Sequence, residues 1–168
     1  DGNIELVALA KKLDPTRLVV EVSNEWPGDP VHKFTDVSAV NVYVGQPRPP
    51  LAENLGQLYP YIHEKLEEQR KQVPDKPILV AEFGKWTVGG LMTSHPPGEY
   101  YQAAKFKSEW KGFLNEPNFV GGFIWVFNDY DLHRRWLWAH EYRCAYGVFD
   151  VHRRPKAVAQ AIRELWRT

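Results

Sequence analysis

The chain has 168 residues, no net charge and 43% hydrophobic residues, enough for one domain, residues 1–168, with a real core. Balanced charge argues against nucleic acid or an acidic membrane surface as a partner, and no apolar run is long enough to span a bilayer. The single cysteine, Cys144, excludes an internal disulfide and a thiolate metal cluster. Neither a metal nor a cofactor is expected.

In chain order, residues 3–13 read as a helix, with Ile4, Val7 and Ala10 at helical spacing and Asp14-Pro15 stopping it. Residues 18–22, LVVEV, read as a strand rich in β-branched side chains, followed by a loop with Pro27, Gly28, Asp29 and Pro30. A second strand covers residues 37–44, VSAVNVYV, and ends at Gly45 and a proline-rich turn. Leu51, Leu55, Leu58, Ile62 and Leu66 then form a helical stripe that Pro74 ends.

The stretch 76–86, KPILVAEFGKW, holds the third strand. Its short apolar run, Ile78 to Ala81, lies between Pro77 and Gly84, as in a parallel strand buried on both faces. Glu82 stands where that strand ends. A carboxylate is costly inside a sheet, but at the carboxyl end of a parallel strand it can face a ligand cleft. The plainer reading is a strand-end Glu paired with a Lys or Arg.

A long loop over 83–97 follows, a length that in compact domains tends to carry function. A helix over 98–114 presents Tyr100, Ala103, Ala104, Trp110 and Phe113 on one side. Gly121-Gly122 introduces a fourth strand over 123–127, and a second long loop over 128–146 is rich in Trp, His and Arg. Pro155 sits just inside the start of the last helix, whose apolar face is Val158, Ala161, Ile162 and Leu165. Aromatic residues are abundant, with 7 Trp, 8 Tyr and 8 Phe, and sugar clefts are one place that sets flat apolar rings beside polar groups.

Four strand–helix units suit either a small open α/β domain or half of a (β/α)8 barrel, which takes about 250 residues. The residues at the strand ends favour the half-barrel. Asn24, Asn41 with Tyr43, Glu82, and Trp125 with Asn128 and Asp129 all fall at or near carboxyl ends, where a barrel would gather them at one mouth. The outer strands of such a half need partners, either the N-terminal half of the barrel or a second copy of this chain.

The segments LDPTRLVVEVSN, DVSAVNVYV, KPILVAEFG, GGFIWVFNDY and YGVFDVHRRPKAVAQAIRELW, in this order, resemble the second half of the catalytic barrel of the family-2 glycoside hydrolases, which include β-galactosidases, β-glucuronidases and β-mannosidases. The resemblance covers nearly the whole chain and makes its strands the fifth to the eighth. It implies that Glu82 is the catalytic nucleophile, that Asn41 and Tyr43 are the Asn-x-Tyr beside it with Tyr43 hydrogen-bonded to the nucleophile, and that Trp125 floors the sugar subsite. A retaining glycosidase needs two carboxyls about 5–5.5 Å apart, one attacking the anomeric carbon and one protonating the leaving oxygen.

In this family the acid is the Glu of an Asn-Glu pair ending the fourth strand. Asn24-Glu25 imitates that pair, but only one strand separates Glu25 from Glu82, whereas in the family two separate acid from nucleophile. The acid is therefore expected upstream of Asp1, with Glu25 a loop residue. The family's β-glucuronidases carry an Asn and a Lys before the segment matching Gly147-Val148-Phe149, and these bind the substrate carboxylate. Here that place reads Arg143-Cys144-Ala145-Tyr146, with Arg143 a partial substitute. The resemblance thus implies a neutral sugar, with a β-galactoside as the default.

Other positions carry a plainer reading beside the functional one. Lys85 is a sugar-facing cation or a surface lysine; Trp86, Trp136 and Trp138 are a sugar platform or packing under loops; Asp129 binds a hydroxyl or pairs with Arg134 or Arg135. His133 and His140 are not spaced for a metal. Glu99, Glu109, Glu116 and Glu141 read as solvated, Cys144 as a buried thiol, and Trp110 and Trp166 as core. Two other functions fit the same residues: a carbohydrate-binding module without turnover, and a self-assembling half-barrel.

Overall fold

The computed structural model describes residues 2–24, 27–44, 55–132 and 143–166. Helix α1 (Gly2–Leu13) leads into strand β1 (Val20–Ser23), a 3-10 turn (Pro30–Lys33), and strand β2 (Val37–Asn41). Helix α2 (Leu58–Gln72), strand β3 (Ile78–Phe83), helix α3 (Glu99–Leu114), strand β4 (Phe119–Ile124) and helix α4 (Ala157–Leu165) follow. Between β4 and α4, two-residue strands β5 (Tyr130–Asp131) and β6 (Arg143–Cys144) pair antiparallel.

The main sheet has the order β1-β2-β3-β4, and every neighbouring pair is parallel. Parallel strands need crossovers; α2 and α3 supply those from β2 to β3 and from β3 to β4, and the segment with the 3-10 turn supplies the one from β1 to β2. One face of the sheet packs on the helices. Val40, Val42, Ile78, Val80 and Phe83 meet Leu58, Ile62 and Leu66 of α2, Phe106 and Phe113 of α3, and Val158 and Ala161 of α4. Phe83 lies among rings, stacked on Phe106 at 5.8 Å and edge-on to Phe113 at 5.1 Å. The two edges differ from this core: Val20 and Val22 on β1, and Val120 and Phe123 on β4, are exposed. Among the described residues, no helix is long and apolar enough to cross a membrane.

Several boundaries depart from the sequence reading: β1 runs Val20–Ser23 rather than 18–22, and β2 ends at Asn41 rather than at 44. The fourth strand runs Phe119–Ile124, with the glycine pair inside it rather than ahead of it. Gly122 accounts for this, because a Cβ there would sit 3.2 Å from the Val80 carbonyl oxygen, so the neighbouring backbone approaches where only Gly fits easily. Pro155 stands before α4, whose N-cap is Lys156, rather than inside it.

Three glutamates expected in solvent are buried, each because it has a partner. Glu99 accepts from the backbone N–H groups of Gly90 and Ala157, Glu109 pairs with Lys105, and Glu116 pairs with Arg70 and His63. Unpaired, such groups would not be buried. Trp110 packs against Phe106, while Trp166, also expected in the core, is exposed although it lies against Trp110.

A buried polar chain crosses under β2. Gln69 Nε2 donates to Ser38 Oγ at 2.8 Å, and Ser38 Oγ lies 3.3 Å from His32 Nδ1. Burial lowers the His32 pKa, opposed by Asp29 and aided by Lys76. A depressed imidazole means the unfolded chain binds the proton more tightly. The stability tied to His32 is then fully present above about pH 6.5 and lost as pH falls from there through the folded value. In the full-length protein, Tm is expected to fall more steeply between about pH 7 and pH 5 than in His32→Gln. Parallel slopes would show that the ring is not held neutral.

Candidate active site

Glu82 depends on an irregularity in β3. Against β2 the pairing runs Val40–Val80 and then Asn41–Glu82, and against β4 it runs Val80–Gly122 and then Phe83–Ile124. Both neighbours therefore count one extra residue on β3 just after Val80, which is a β-bulge. Ile78 and Val80 point at the helices, and strict alternation would send Glu82 the same way. The bulge instead turns Phe83 to the helix side and leaves Glu82 on the opposite face.

Tyr43 shares that face. Val42 and Val44 belong to the helix-side core, so the residue between them points away from it. The Tyr43 hydroxyl donates to Glu82 Oε2 at 2.7 Å. Burial pushes the Tyr43 phenol far above its ordinary value, and the Glu82 hydrogen bond and charge push it further. Tyr43 therefore stays protonated and acts as a donor. Asn41, opposite Glu82 in the sheet, donates through Nδ2 to Asn24 Oδ1 at 2.8 Å. Asn24 is exposed, just past the end of β1.

Trp125 follows β4 directly, half-buried, with its backbone N–H bonded to the Phe83 carbonyl at 2.8 Å. That places it at the same end of the sheet as Glu82. The structure thus brings Asn24, Asn41, Tyr43, Glu82 and Trp125 to one end of four neighbouring strands.

Two expected sugar contacts are placed elsewhere. Lys85 is buried, its ammonium 5.8 Å from the centre of the Trp86 ring. Burial lowers its pKa to about 8, Lys105 adds to the drop and Glu109 opposes it, so its charged surroundings belong to α3. Asp129 is buried and engaged. Its Oδ1 accepts from the Gly147 N–H at 2.7 Å and from Lys156 Nζ at 3.0 Å, so among the described residues its cation is Lys156. Asn128 spends its amide on the Asp129 carbonyl at 2.7 Å. Glu25, His133, Arg134, Arg135, Trp136, Trp138, His140 and Glu141 lie outside the described residues.

Three residues join the site that the sequence did not single out for it. Tyr146 lies edge-on to Tyr43, with centroids 6.2 Å apart. Tyr130 is opposite Cys144 in the β5–β6 ribbon. Burial, a hydrogen bond to the Cys144 sulfur and the Glu82 charge push its phenol up to about 12. Cys144 also acts electrostatically on Tyr43. The signals were their place near the two ends of the second long loop and, for 144 and 146, the resemblance that set 143–146 where β-glucuronidases bind the substrate carboxylate. A separate groove of about 1520 Å³ runs along α3 and α4, but neither Glu82 nor Tyr43 lines it. Among the described residues, no group of His, Cys, Asp and Glu is arranged to hold a metal ion.

An acidic residue at a parallel strand's tip, bonded to a neutral phenol and flanked by amides and an indole, is equipped to attack an electrophilic carbon in a polyhydroxylated ligand. Comparison with known proteins identifies the family. Residues 3–168 match the family described as glycosyl hydrolases family 2, TIM barrel domain. A β-glucuronidase of Streptococcus agalactiae is 30% identical over 169 residues, covering 97% of this chain and 28% of that protein. A β-glucuronidase of Rattus norvegicus is 31% identical over 172 residues, covering 96% of this chain and 25% of that protein. The solved β-D-glucuronidase of Dictyoglomus thermophilum superposes with a TM-score of 0.85 at 28% identity, over 98% of this chain and 28% of that one. The chain spans 28% and 25% of the length of the two curated relatives. Its parallel strands and flanking helices are part of a TIM barrel, and the chain belongs to glycosyl hydrolase family 2.

Proposed function

We propose that this chain carries the nucleophile half of a retaining β-glycosidase site, with Glu82 as the nucleophile. The observation that carries the reading is the 2.7 Å hydrogen bond from a phenol that stays protonated to a carboxylate turned out of the core by a bulge. In the first step a Glu82 oxygen bonds to the anomeric carbon while the aglycone oxygen leaves with a proton from a general acid. In the second, water replaces Glu82 with the acid now acting as base. The acid belongs to the strand preceding α1, and the barrel's other strands meet the exposed edges of β1 and β4. Asn41 and Asn24 face sugar hydroxyls, and Trp125 supports the ring.

A mechanism-based fluoroglycoside applied to the full-length protein tests this reading. Peptide mapping should find the sugar on Glu82. A protein that binds the compound reversibly and is never labelled would be a carbohydrate-binding module instead.

For the sugar, we read a neutral β-hexoside such as a β-galactoside. In the stretch 143–146 the one cation, Arg143, is exposed and paired with Asp131 at 3.0 Å, which leaves thiol and phenol groups beside Tyr43. The names of both curated relatives favour a second reading, a β-glucuronide. Relative kcat/KM on nitrophenyl β-galactoside and β-glucuronide separates the two, and a preference for the glucuronide would overturn the first.

Tyr43→Phe removes one hydrogen bond to a charged group, worth about 1.5–3 kcal/mol. Activity on the better substrate is expected to drop roughly 10- to 150-fold, the same energy expressed as a rate. An unchanged kcat/KM would remove Tyr43 from the mechanism.

A further inference from the structure

Behind the wall formed by residues 144–147, four polar side chains are buried together: Thr87, Gln102, Asp129 and Lys156. They come from four separate places, namely the loop after β3, helix α3, the loop after β4 and the N-cap of α4. Lys156 Nζ reaches Asp129 Oδ1 at 3.0 Å, Thr87 Oγ1 at 3.1 Å and the Ala145 carbonyl at 3.1 Å. Asp129 in turn accepts from the Gly147 N–H, and Gln102 Nε2 donates to the carbonyls of Lys85 at 2.9 Å and Tyr146 at 3.1 Å. The strand crossing is tight here. A Cβ on Gly147 would lie 2.3 Å from the Asp129 nitrogen.

The wall held this way is the one that borders Glu82's donor. Tyr146 meets the Tyr43 ring edge-on, and Cys144 pairs with Tyr130. Displacement of residues 144–147 would move the ring that fixes Tyr43 and, through it, the hydroxyl that donates to Glu82.

We propose that Lys156 is a positioning residue for the reaction, its ammonium clamping the 144–147 wall so that Tyr146 holds Tyr43 in donating geometry toward Glu82. The proposal rests on the glycosidase reading above. Lys156 touches neither Glu82 nor Tyr43, so its effect should fall on the chemical step and leave sugar binding nearly intact. Its burial also argues for a demanding geometric role. An ammonium held away from water persists only where several acceptors converge, and here three groups converge on it.

Removing Lys156 alone would strand the Asp129 charge, so the informative variant is Asp129→Asn/Lys156→Met, which removes both charges, measured in the full-length protein. Labelling of wild-type Glu82 by the fluoroglycoside comes first, because its absence would overturn the glycosidase reading and not the clamp. With wild type labelled, the double variant is expected to keep KM within about threefold while kcat and the labelling rate fall about 10- to 100-fold. A labelling rate within twofold of wild type would overturn the clamp, as would a loss confined to KM. Thr87→Val, which removes one acceptor and keeps the shape, provides an independent reading. It should lower kcat several-fold at unchanged KM, and an unchanged kcat would count against the proposal even if the double variant fails to fold.

Discussion

Replacing Glu82 by Gln in the full-length protein is expected to lower kcat/KM on an unactivated β-glycoside by a factor on the order of 10⁴ or more, the scale seen when a covalent nucleophile is removed from other hydrolases. The fold should not suffer. Gln keeps the shape and still accepts from the Tyr43 hydroxyl, so the 2.7 Å hydrogen bond has a partner in the variant. What is lost is the charge and the oxygen able to form the glycosyl bond. The control is Glu82→Gly, which empties that place, so that an external nucleophile such as azide can enter it and attack from the same side, giving a product of inverted configuration. Restoration of turnover by azide with inversion in the glycine variant, together with an unchanged Tm in the glutamine variant, would place Glu82 at the reacting carbon. Residual activity within about tenfold of wild type would show that the carboxylate has another role.

Much of this arrangement was legible in the sequence, for physical reasons that differ from residue to residue. The parallel sheet was readable because Ile78 to Ala81 is apolar without alternation, which only a strand covered on both faces requires. Glu82 stood out because a carboxylate next to such a run needs a reason to be there. The bulge that aims it was not readable. It arises from pairing with two neighbours at once, and no local pattern in LVAEF distinguishes a slipped register from a regular one. The same limit explains the buried glutamates. Glu99, Glu109 and Glu116 lie in an ordinary helical pattern or at its end, and their partners Ala157, Lys105 and Arg70 are near in space, only one of them by helical spacing. Asp129 was read as binding a hydroxyl or pairing with a nearby arginine, and nothing in the sequence hinted at Lys156, which the fold brings to it across 27 residues. Long-range polar pairs of this kind leave no periodicity, and the wall made by Tyr130, Cys144 and Tyr146 is assembled by them.

The second large effect concerns Gly84, where geometry allows a comparison with Gly121. The two have nearly the same φ, +148° and +149°, in a region that side-chain-bearing residues avoid. A Cβ on Gly84 would lie 2.6 Å from the Trp125 carbonyl oxygen, whereas among the described residues a Cβ on Gly121 meets nothing within 4 Å. Gly121→Ala should therefore cost backbone strain alone, about 1–3 kcal/mol. Gly84→Ala should cost that strain and also drive the ends of β3 and β4 apart, because a backbone carbonyl cannot rotate away as a side chain can. The displaced peptide belongs to Trp125, and the strand that must give carries Glu82 two residues earlier. We expect Gly84→Ala to lose at least about 1 kcal/mol more than Gly121→Ala in denaturant unfolding of the full-length protein. Its kcat should fall at least about tenfold while that of Gly121→Ala stays within a few-fold of wild type. Equal losses in both variants would mean that φ alone governs these positions and that the close approach of β3 to β4 does not set where Glu82 stands.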